Sequence, residues 1–177
     1  MKAVMLSIQP KWCEKIASGE KTVEVRKTRP KIETPFPCFI YETQGETETP
    51  WIDEDGHEIF KGRGQVIGEF VCDEITPLFN VATTSWSLLA GNVHEYAKSP
   101  VRMARLTEEE MHSYAKGKYC FAMHISDLVI YDKPKELGEF QQCHKCPHTC
   151  VSQSKSLCEY HRLKRPPQSW CYVEVQE

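Results

Sequence analysis

The chain has 177 residues, an apolar fraction of 40% and a net charge of −3, which together predict one domain with an appendage and a sizeable hydrophobic core. The slightly acidic balance argues against a general polyanion binder, although it leaves room for a local basic cleft. The sequence contains no run of about 18 apolar residues, so we expect no membrane span. The N-terminus lacks a basic segment followed by an apolar stretch, so we expect a cytoplasmic protein.

The N-terminal part of the chain predicts three strands and one helix. Lys2 to Ile8 is the first strand. A proline suits the first turn of a helix over residues 11–18, and a glycine follows its end. Lys21 to Lys27 forms the second strand, in which apolar and polar residues alternate. After a proline-rich connector, Cys38 to Glu42 forms a short third strand.

The rest of the chain predicts mainly further strands. Residues 43–64 are polar and are interpreted as an exposed insertion with a hairpin turn at Asp53 to His57. Both faces of Gln65 to Ile75 are apolar, which predicts a central strand. Thr107 to Glu110 form a capping box at the start of a helix that ends near Gly117. The remaining predicted elements are short helices within residues 77–99, a long strand from Tyr119 to Tyr131, and a closing strand from Trp170 to Val175.

The second predicted strand carries the most informative pattern, Gly19-x-Lys21-x-x-Glu24-x-Arg26. Glu24 and Arg26 are two residues apart, so their side chains point to the same face of the strand. The alternative interpretation is an ordinary solvated strand face with a weak ion pair. Besides Arg26, four basic residues crowd this part of a slightly acidic chain: Lys21, Lys27, Arg29 and Lys31.

Nine cysteines are present, and four of them form a tight C-terminal group: Cys143, Cys146, Cys150 and Cys158. Four thiolates with this spacing suit a tetrahedral zinc ion, and the closed ligand set predicts a structural site. The alternatives are a redox pair, a disulfide and an iron–sulfur cluster. The histidines that could replace one or two of these ligands are His144, His148 and His161.

The other five cysteines lie on predicted core elements. Cys13, Cys38, Cys72 and Cys120 are expected to be small buried apolar residues. Cys171 lies on the closing strand and is also expected to be packed.

Three stretches resemble the ASCH domain family of the PUA-like superfamily of small β-barrels. The first is Met5 to Pro10 followed by the helix and the Gly-x-Lys-x-x-Glu-x-Arg pattern. The others are Gly117 to Asp127 and Arg165 to Val173. The resemblance implies an α+β fold, a PUA-like small β-barrel with flanking short helices and an added zinc-stabilised knuckle. The resemblance implies three segments: the barrel at residues 1–140, the knuckle at 141–164 and the closing strand at 165–177. The polar insertion at about 43–64 lies within the first segment.

This resemblance implies that a polar cleft beside the first two strands binds RNA or a nucleotide-like ligand. Lysine and arginine would neutralise phosphates. Trp170 either stacks a base or anchors the core. The implied binding residues are Ser7, Gln9, Lys21, Glu24, Arg26, Ser169 and Trp170, with the basic residues Lys27 and Arg29 beside them.

Two alternatives to a binding module stay open. Some small ASCH proteins are similar to amidohydrolases with a lysine and a threonine nucleophile, but Glu24 stands at the threonine position here and Thr22 lies earlier on the strand. The enzyme alternative is therefore a hydrolase of nucleosides or RNA in which Lys21 and Glu24 are catalytic. The other alternative is an interaction protein that docks through the cysteine knuckle. No other catalytic signature is present, and His124 is interpreted as structural.

Overall fold

The computed structural model of the chain describes residues 1–82, 85–88, 100–142 and 162–175. Most of them form β-strands, which are joined by a few short helices. The strands are β1 (Lys2–Ile8), β2 (Val23–Arg26), β3 (Phe36–Glu42), β4 (Glu46–Ile52), β5 (Glu58–Lys61), β6 (Val66–Cys72), β7 (Ile75–Ala82), β8 (Ser85–Leu88), β9 (Cys120–His124), β10 (Ser126–Lys135), β11 (Gln141–Gln142) and β12 (Trp170–Glu174). The helices are α1 (Pro10–Ala17), α2 (Pro100–Met103), α3 (Glu108–Ala115) and a short 3₁₀ helix at Leu137–Glu139.

The first strand lies inside a six-stranded sheet of order β10-β6-β3-β1-β12-β11. It is parallel to β3, with Val4 opposite Cys38, and antiparallel to β12, with Leu6 opposite Trp170. The predicted closing strand therefore does pair with the first strand. Gly68 in β6 allows a close approach to β10, because a Cβ atom there would clash with the carbonyl oxygen of Val129.

The second predicted strand belongs to a different, four-stranded sheet of order β2-β9-β7-β8. All of its pairings are antiparallel, and Glu24 lies opposite Met123 while Arg26 lies opposite Phe121. The sequence predicts short helices within residues 77–99, but the described residues of that segment lie in β7 and β8. The β-branched and aromatic residues from Ile75 to Val81 favour a strand, which explains the difference.

The predicted closed barrel is not found in the part of the chain that the structure describes. The sequence predicts one strand from Tyr119 to Tyr131, but β9 ends at His124 and β10 begins at Ser126. Asp127 adopts a left-handed conformation with φ of +46°. Strand β9 joins the four-stranded sheet and β10 the six-stranded sheet, whose two edges are β10 and β11. A barrel would require these edges to pair.

The chain divides into two compact units. The first unit consists of Met1–Cys13, Pro37–Phe70 and Val129–Glu177, and the second of Glu14–Phe36 and Val71–Leu128. Each has its own apolar core, because every sheet must bury one of its faces. The core of the first unit includes Met5, Phe39, Val66, Phe140 and Val173, and the core of the second includes Val23, Val25, Leu78, Met111 and Cys120.

The cysteines on predicted core elements behave as expected. Cys13, Cys38, Cys72 and Cys120 are buried and form no disulfide bond, which confirms the prediction for these four. Cys171 is half-buried. Burial raises the pKa of the Cys120 thiol, although the positive charge of Lys27 opposes this increase. These thiols are therefore engaged in packing.

The polar segment 43–64 contains a separate hairpin. Strands β4 and β5 pair only with each other in the described structure, and most of their side chains are at least partly exposed. The predicted turn is present: the Asp53 carboxylate accepts hydrogen bonds from the backbone N–H groups of Asp55 (3.0 Å) and His57 (2.8 Å). These bonds explain why the pKa of Asp53 is lowered.

The predicted capping box begins helix α3. The Thr107 hydroxyl accepts a hydrogen bond from the Glu110 backbone N–H at 3.1 Å, and the Glu110 carboxylate accepts one from the Thr107 backbone N–H at 2.9 Å. The side chains of Met111 and Ala115 bury one face of the helix in the core of the second unit. The cap therefore fixes where helix α3 begins.

We expect Thr107→Ala to lower the free energy of unfolding by about 1 kcal/mol, because the side chain can no longer accept the N-cap hydrogen bond. Urea unfolding monitored by circular dichroism would measure this change. Ser113→Ala is the matched control, since Ser113 is an exposed position on the same helix. A Thr107→Ala protein as stable as the control would contradict the capping role.

Candidate functional site

A glycine turn places Lys21 at the start of the signature strand. Gly19 has φ of +74°, a conformation that favours glycine, and its N–H donates to the Ile16 carbonyl at 2.9 Å. The Lys21 backbone N–H then donates to the Lys15 carbonyl at 2.8 Å. The chain thus reverses directly after helix α1, and β2 follows two residues after Lys21.

In strand β2, apolar and charged side chains alternate between the two faces. All four of these side chains are buried. Val23 and Val25 enter the core of the second unit, so Glu24 and Arg26 point to the opposite face. Glu24 is only 7% exposed and Arg26 only 6%. The interpretation of this strand as an ordinary solvated face is therefore wrong.

Lys21, Glu24 and Arg26 form one buried ionic cluster, named here the signature cluster. The Lys21 Nζ lies 3.2 Å from Glu24 Oε2, and the Arg26 Nη2 lies 3.0 Å from Glu24 Oε1. The Lys21 Nζ also donates to the Ala104 carbonyl at 2.9 Å, and this lysine is 3% exposed. One carboxylate is therefore shared by two cations in a poorly solvated place.

Backbone contacts hold the signature cluster against the turn after helix α2. Thr22 N–H donates to the Met103 carbonyl at 3.1 Å, and the Arg105 Nε donates to the Glu20 carbonyl at 2.8 Å. Arg105 has φ of +56°, so the chain turns sharply at this point. Because of this turn, the Ala104 carbonyl oxygen accepts the hydrogen bond from Lys21.

Tyr114 on helix α3 is a member of the site that the sequence analysis missed. Burial raises the pKa of its phenol, and so does the charge of Glu24, whereas the charge of Arg26 and a backbone hydrogen bond from Lys27 lower it. The Lys27 Nζ lies 4.8 Å from the centre of the Tyr114 ring. The capping box predicts the helix but says nothing about which strand the helix contacts, so no signal in the sequence identifies Tyr114.

The basic residues after β2 have a different environment from the signature cluster. Lys27, Arg29 and Lys31 are exposed. They follow Arg26 within five residues, so the second unit presents exposed cations next to the buried ones. Exposed cations of this kind can contact an anionic ligand without disrupting the fold.

The other predicted binding residues lie in the first unit. The Ser7 hydroxyl donates to the Pro167 carbonyl at 2.6 Å, and its N–H donates to the Ser169 carbonyl at 3.0 Å. Gln9 is exposed, and its carbonyl accepts the first hydrogen bonds of α1. Trp170 is half-buried and meets the Tyr172 ring edge-on, with 5.2 Å between ring centres. The structure brings Ser7 and Ser169 together and leaves the role of Trp170 as a prediction.

The predicted metal ligands lie outside the residues that the structure describes. They are Cys143, Cys146, Cys150, Cys158 and the alternative ligands His144, His148 and His161. Within the described ranges, the grouped metal-ligand types are Asp53, Asp55 and His57 in the exposed hairpin turn, where they hydrogen-bond to one another and to the local backbone.

His124 has a structural partner, as its position on a strand predicted. Its Nδ1 lies 2.7 Å from the Asp73 carboxylate. Burial alone would raise the pKa of Asp73, but the hydrogen bond from His124, neighbouring backbone N–H groups and the histidine charge lower it. The pair joins the last residue of β9 to the residue that follows β6, within the second unit.

Comparisons with known proteins give one family and one fold. The model of the ASCH domain matches residues 6–177. A crystal structure of an ASCH protein from Zymomonas mobilis is 21% identical, with 97% of this chain and 87% of that chain covered and a TM-score of 0.58. Crystal structures of two variants of that protein are each 20% identical to this chain. The first variant has a TM-score of 0.58, with 98% of this chain and 91% of that chain covered. The second variant has a TM-score of 0.57, with 97% of this chain and 88% of that chain covered.

These structural matches support the fold alone at this level of identity. A search of curated proteins found no match. None of the helices in the described ranges has the length and apolar character needed to cross a membrane.

Proposed function

Because the chain belongs to the ASCH domain family, we propose that it binds RNA or a nucleotide-like ligand through the basic residues on and after strand β2. The family is thought to bind RNA. The observation that carries the proposal is the signature cluster, in which two buried cations share one carboxylate. Cationic side chains on and directly after one strand favour an anionic ligand nearby.

The buried and the exposed cations have different roles in this proposal. Lys21 and Arg26 are too buried to make extensive contacts with a polymer, so they position the strand and contribute positive potential. Lys27 and Arg29 are exposed and make the phosphate contacts. Arginine adds a planar fork that suits a phosphate oxygen pair. Tyr114 orients Lys27 through the ring contact and the backbone hydrogen bond.

Ser7, Gln9, Ser169 and Trp170 belong to the same proposal through the family resemblance. Gln9 has an exposed amide that could pair with a base edge, and Trp170 has a half-exposed ring that could stack on a base. Ser7 already holds the Pro167 carbonyl, so its first role is to position the segment before β12. In this proposal Lys27 and Arg29 make the main contacts with the ligand.

The geometry does not favour the hydrolase alternative. A general base must reach the proton of a water molecule or hydroxyl group. Both oxygens of Glu24 are already engaged, one by Lys21 and one by Arg26. Lys21 is itself held by the Ala104 carbonyl. Catalysis by Lys21 and Glu24 would require the signature cluster to break, whereas binding by exposed cations does not.

The test is fluorescence anisotropy with labelled single-stranded and hairpin RNAs, titrated with salt. The variant Lys27→Gln/Arg29→Gln removes two exposed charges beside the signature cluster. For single-stranded RNA, the slope of log K against log salt should become shallower by about 0.7 for each phosphate that the protein no longer neutralises.

The matched control for this experiment is Lys61→Gln/Lys133→Gln, which removes the same charge at exposed positions of the first unit. We expect the control to bind RNA as the unmodified protein does. Equal weakening in both variants would mean that only net charge matters. No saturable binding at low salt would contradict the proposal, and small modified nucleosides would then be the next ligands to try.

We also propose a structural zinc ion held by Cys143, Cys146, Cys150 and Cys158. Four of the other five cysteines are buried in apolar cores and are thus engaged elsewhere. The chemistry of the donor set supports zinc, because four thiolates complete a tetrahedral shell and leave no position for a substrate. His148 and His161 are the alternative ligands within the same segment.

A further inference from the structure

An open cavity of about 470 Å³ in the first unit is lined by cations that the signature strand does not include. Arg162, Lys164 and Arg165 contribute these positive charges. Among the described residues that line the cavity, none is acidic. Positively charged groups that line one cavity attract an anionic ligand.

The segment that carries these cations is held firmly at both ends. Leu163 is buried, and its N–H donates to the Phe140 carbonyl at 2.9 Å. At the other end, the Ser7 hydroxyl donates to the Pro167 carbonyl at 2.6 Å. Two successive prolines, Pro166 and Pro167, restrict the backbone between these points. The cationic side chains therefore start from a fixed backbone, which lowers the entropic cost of binding.

The remaining lining groups and the cavity size restrict the ligand class. The Gln142 amide can both donate and accept hydrogen bonds, and Pro166 and Pro167 offer apolar surface. A cavity of this volume falls in the range of sites for small molecules and cofactors. Arginine recognises phosphate oxygens in a planar, two-point manner. A phosphate combined with a flat polar group satisfies all of these features.

We propose that this cavity binds a phosphate-bearing ligand of nucleotide size, in which Arg162 and Arg165 contact the phosphate. The ligand is either a free nucleoside phosphate or the phosphorylated end of an RNA strand, which present the same chemistry. The site goes beyond the proposed RNA face, because it lies in the first unit and uses none of the residues after β2.

The experiment titrates three probes into the full chain: pyrophosphate, adenosine 5′-monophosphate and a 5′-phosphorylated RNA beside its 5′-hydroxyl counterpart. Isothermal titration calorimetry measures the first two probes, and anisotropy measures the RNAs. In Arg162→Gln/Arg165→Gln we expect binding to weaken by about tenfold for each charge-assisted hydrogen bond that is removed. The control Lys61→Gln/Lys133→Gln should bind as the unmodified protein does.

The choice of probes distinguishes a free nucleotide from an RNA end, and the choice of variants distinguishes the cavity proposal from the proposed RNA binding after β2. Loss of pyrophosphate or monophosphate binding in Arg162→Gln/Arg165→Gln, but not in Lys27→Gln/Arg29→Gln, supports a free nucleotide. Loss restricted to the 5′-phosphorylated RNA supports a strand end. The same affinity in Arg162→Gln/Arg165→Gln and in the control, for every probe, overturns the cavity proposal even if RNA binds through Lys27 and Arg29.

Alkylation of Cys171 measures ligand binding in the unmodified protein, without any substitution in the cavity. This half-buried thiol lines the cavity, whereas Cys13 and Cys38 in the same unit are buried. Alkylation at Cys171, quantified by peptide mass spectrometry, should slow when pyrophosphate or the monophosphate is saturating. An unchanged alkylation rate at a saturating concentration of every probe would overturn the proposal. This test holds even if the variant Arg162→Gln/Arg165→Gln does not fold, because it uses the unmodified protein.

Discussion

Glu24→Gln is expected to lower the free energy of unfolding by about 3–5 kcal/mol, the range observed when one partner of a buried ion pair is removed. The substitution keeps the shape of the side chain but leaves Lys21 and Arg26 buried without the carboxylate that they share. Two like charges would then lie close together in a poorly solvated place. Urea unfolding, followed by tryptophan fluorescence and circular dichroism, measures the change in stability.

Glu20→Gln is the matched control for Glu24→Gln. Glu20 also lies between two cations, 3.9 Å from Lys15 and 3.8 Å from Arg105, but its side chain is 49% exposed. Solvent screens such pairs, so we expect the free energy of unfolding to fall by less than about 1 kcal/mol. A Glu24→Gln protein no less stable than Glu20→Gln would contradict the account of the signature cluster as a buried, desolvated group.

A combined variant separates charge from packing at the same cluster. In the variant Lys21→Met/Glu24→Gln/Arg26→Met, both cations are removed together with the carboxylate. We expect this protein to be more stable than Glu24→Gln alone, because the two buried cations that lose their shared carboxylate in Glu24→Gln are removed as well. If it also retains salt-dependent RNA binding through Lys27 and Arg29, the cluster positions the strand and does not itself contact the ligand.

Removal of zinc is expected to have the other large effect. The purified protein should contain about one zinc ion per chain, and a chelator should lower its thermal midpoint markedly, since metal binding in small zinc domains contributes on the order of 10 kcal/mol to folding. Elemental analysis by mass spectrometry and a thermal melt measure both quantities. A protein free of zinc with an unchanged melt would contradict the proposal.

Cysteine variants test the zinc ligands one at a time. Cys143→Ser and Cys146→Ser should lower the zinc content, because a serine hydroxyl is a poor replacement for a thiolate ligand. Cys171→Ser is the control, since that thiol lies outside the proposed ligand set. Visible absorption of the purified protein would instead indicate the iron–sulfur alternative.

Local sequence patterns predicted much of the secondary structure. The first strand has the expected bounds, Lys2–Ile8, and the helix after it differs by one residue at each end. The capping box at Thr107 is present, and so is the turn at Asp53. These features depend on groups within a few residues of one another, so the neighbouring residues are sufficient to identify them.

The barrel and the solvated strand face are absent from the described structure for the same physical reason. A run of strand-forming residues from Tyr119 to Tyr131 does not reveal that the chain changes sheets near Asp127. Alternation in β2 predicts that Glu24 and Arg26 share a face, but it does not predict whether that face is exposed to solvent or buried against other residues. The barrel was implied by the family resemblance, and the solvated face was the alternative interpretation of the strand. In both cases the outcome depends on residues that are distant in the chain.

The sequence by itself determined the family, the strands beside the signature and the types of charge that the site contains. Tertiary structure decided that Lys21, Glu24 and Arg26 are buried together, that Tyr114 joins them, and that Arg162 and Arg165 line a cavity of the first unit. The reason is the distance along the chain between partners: Lys21 donates to a carbonyl 83 residues away, and Ser7 to one 160 residues away. Propensity and periodicity act over a few residues, whereas burial and charge pairing depend on contacts that only the folded chain creates.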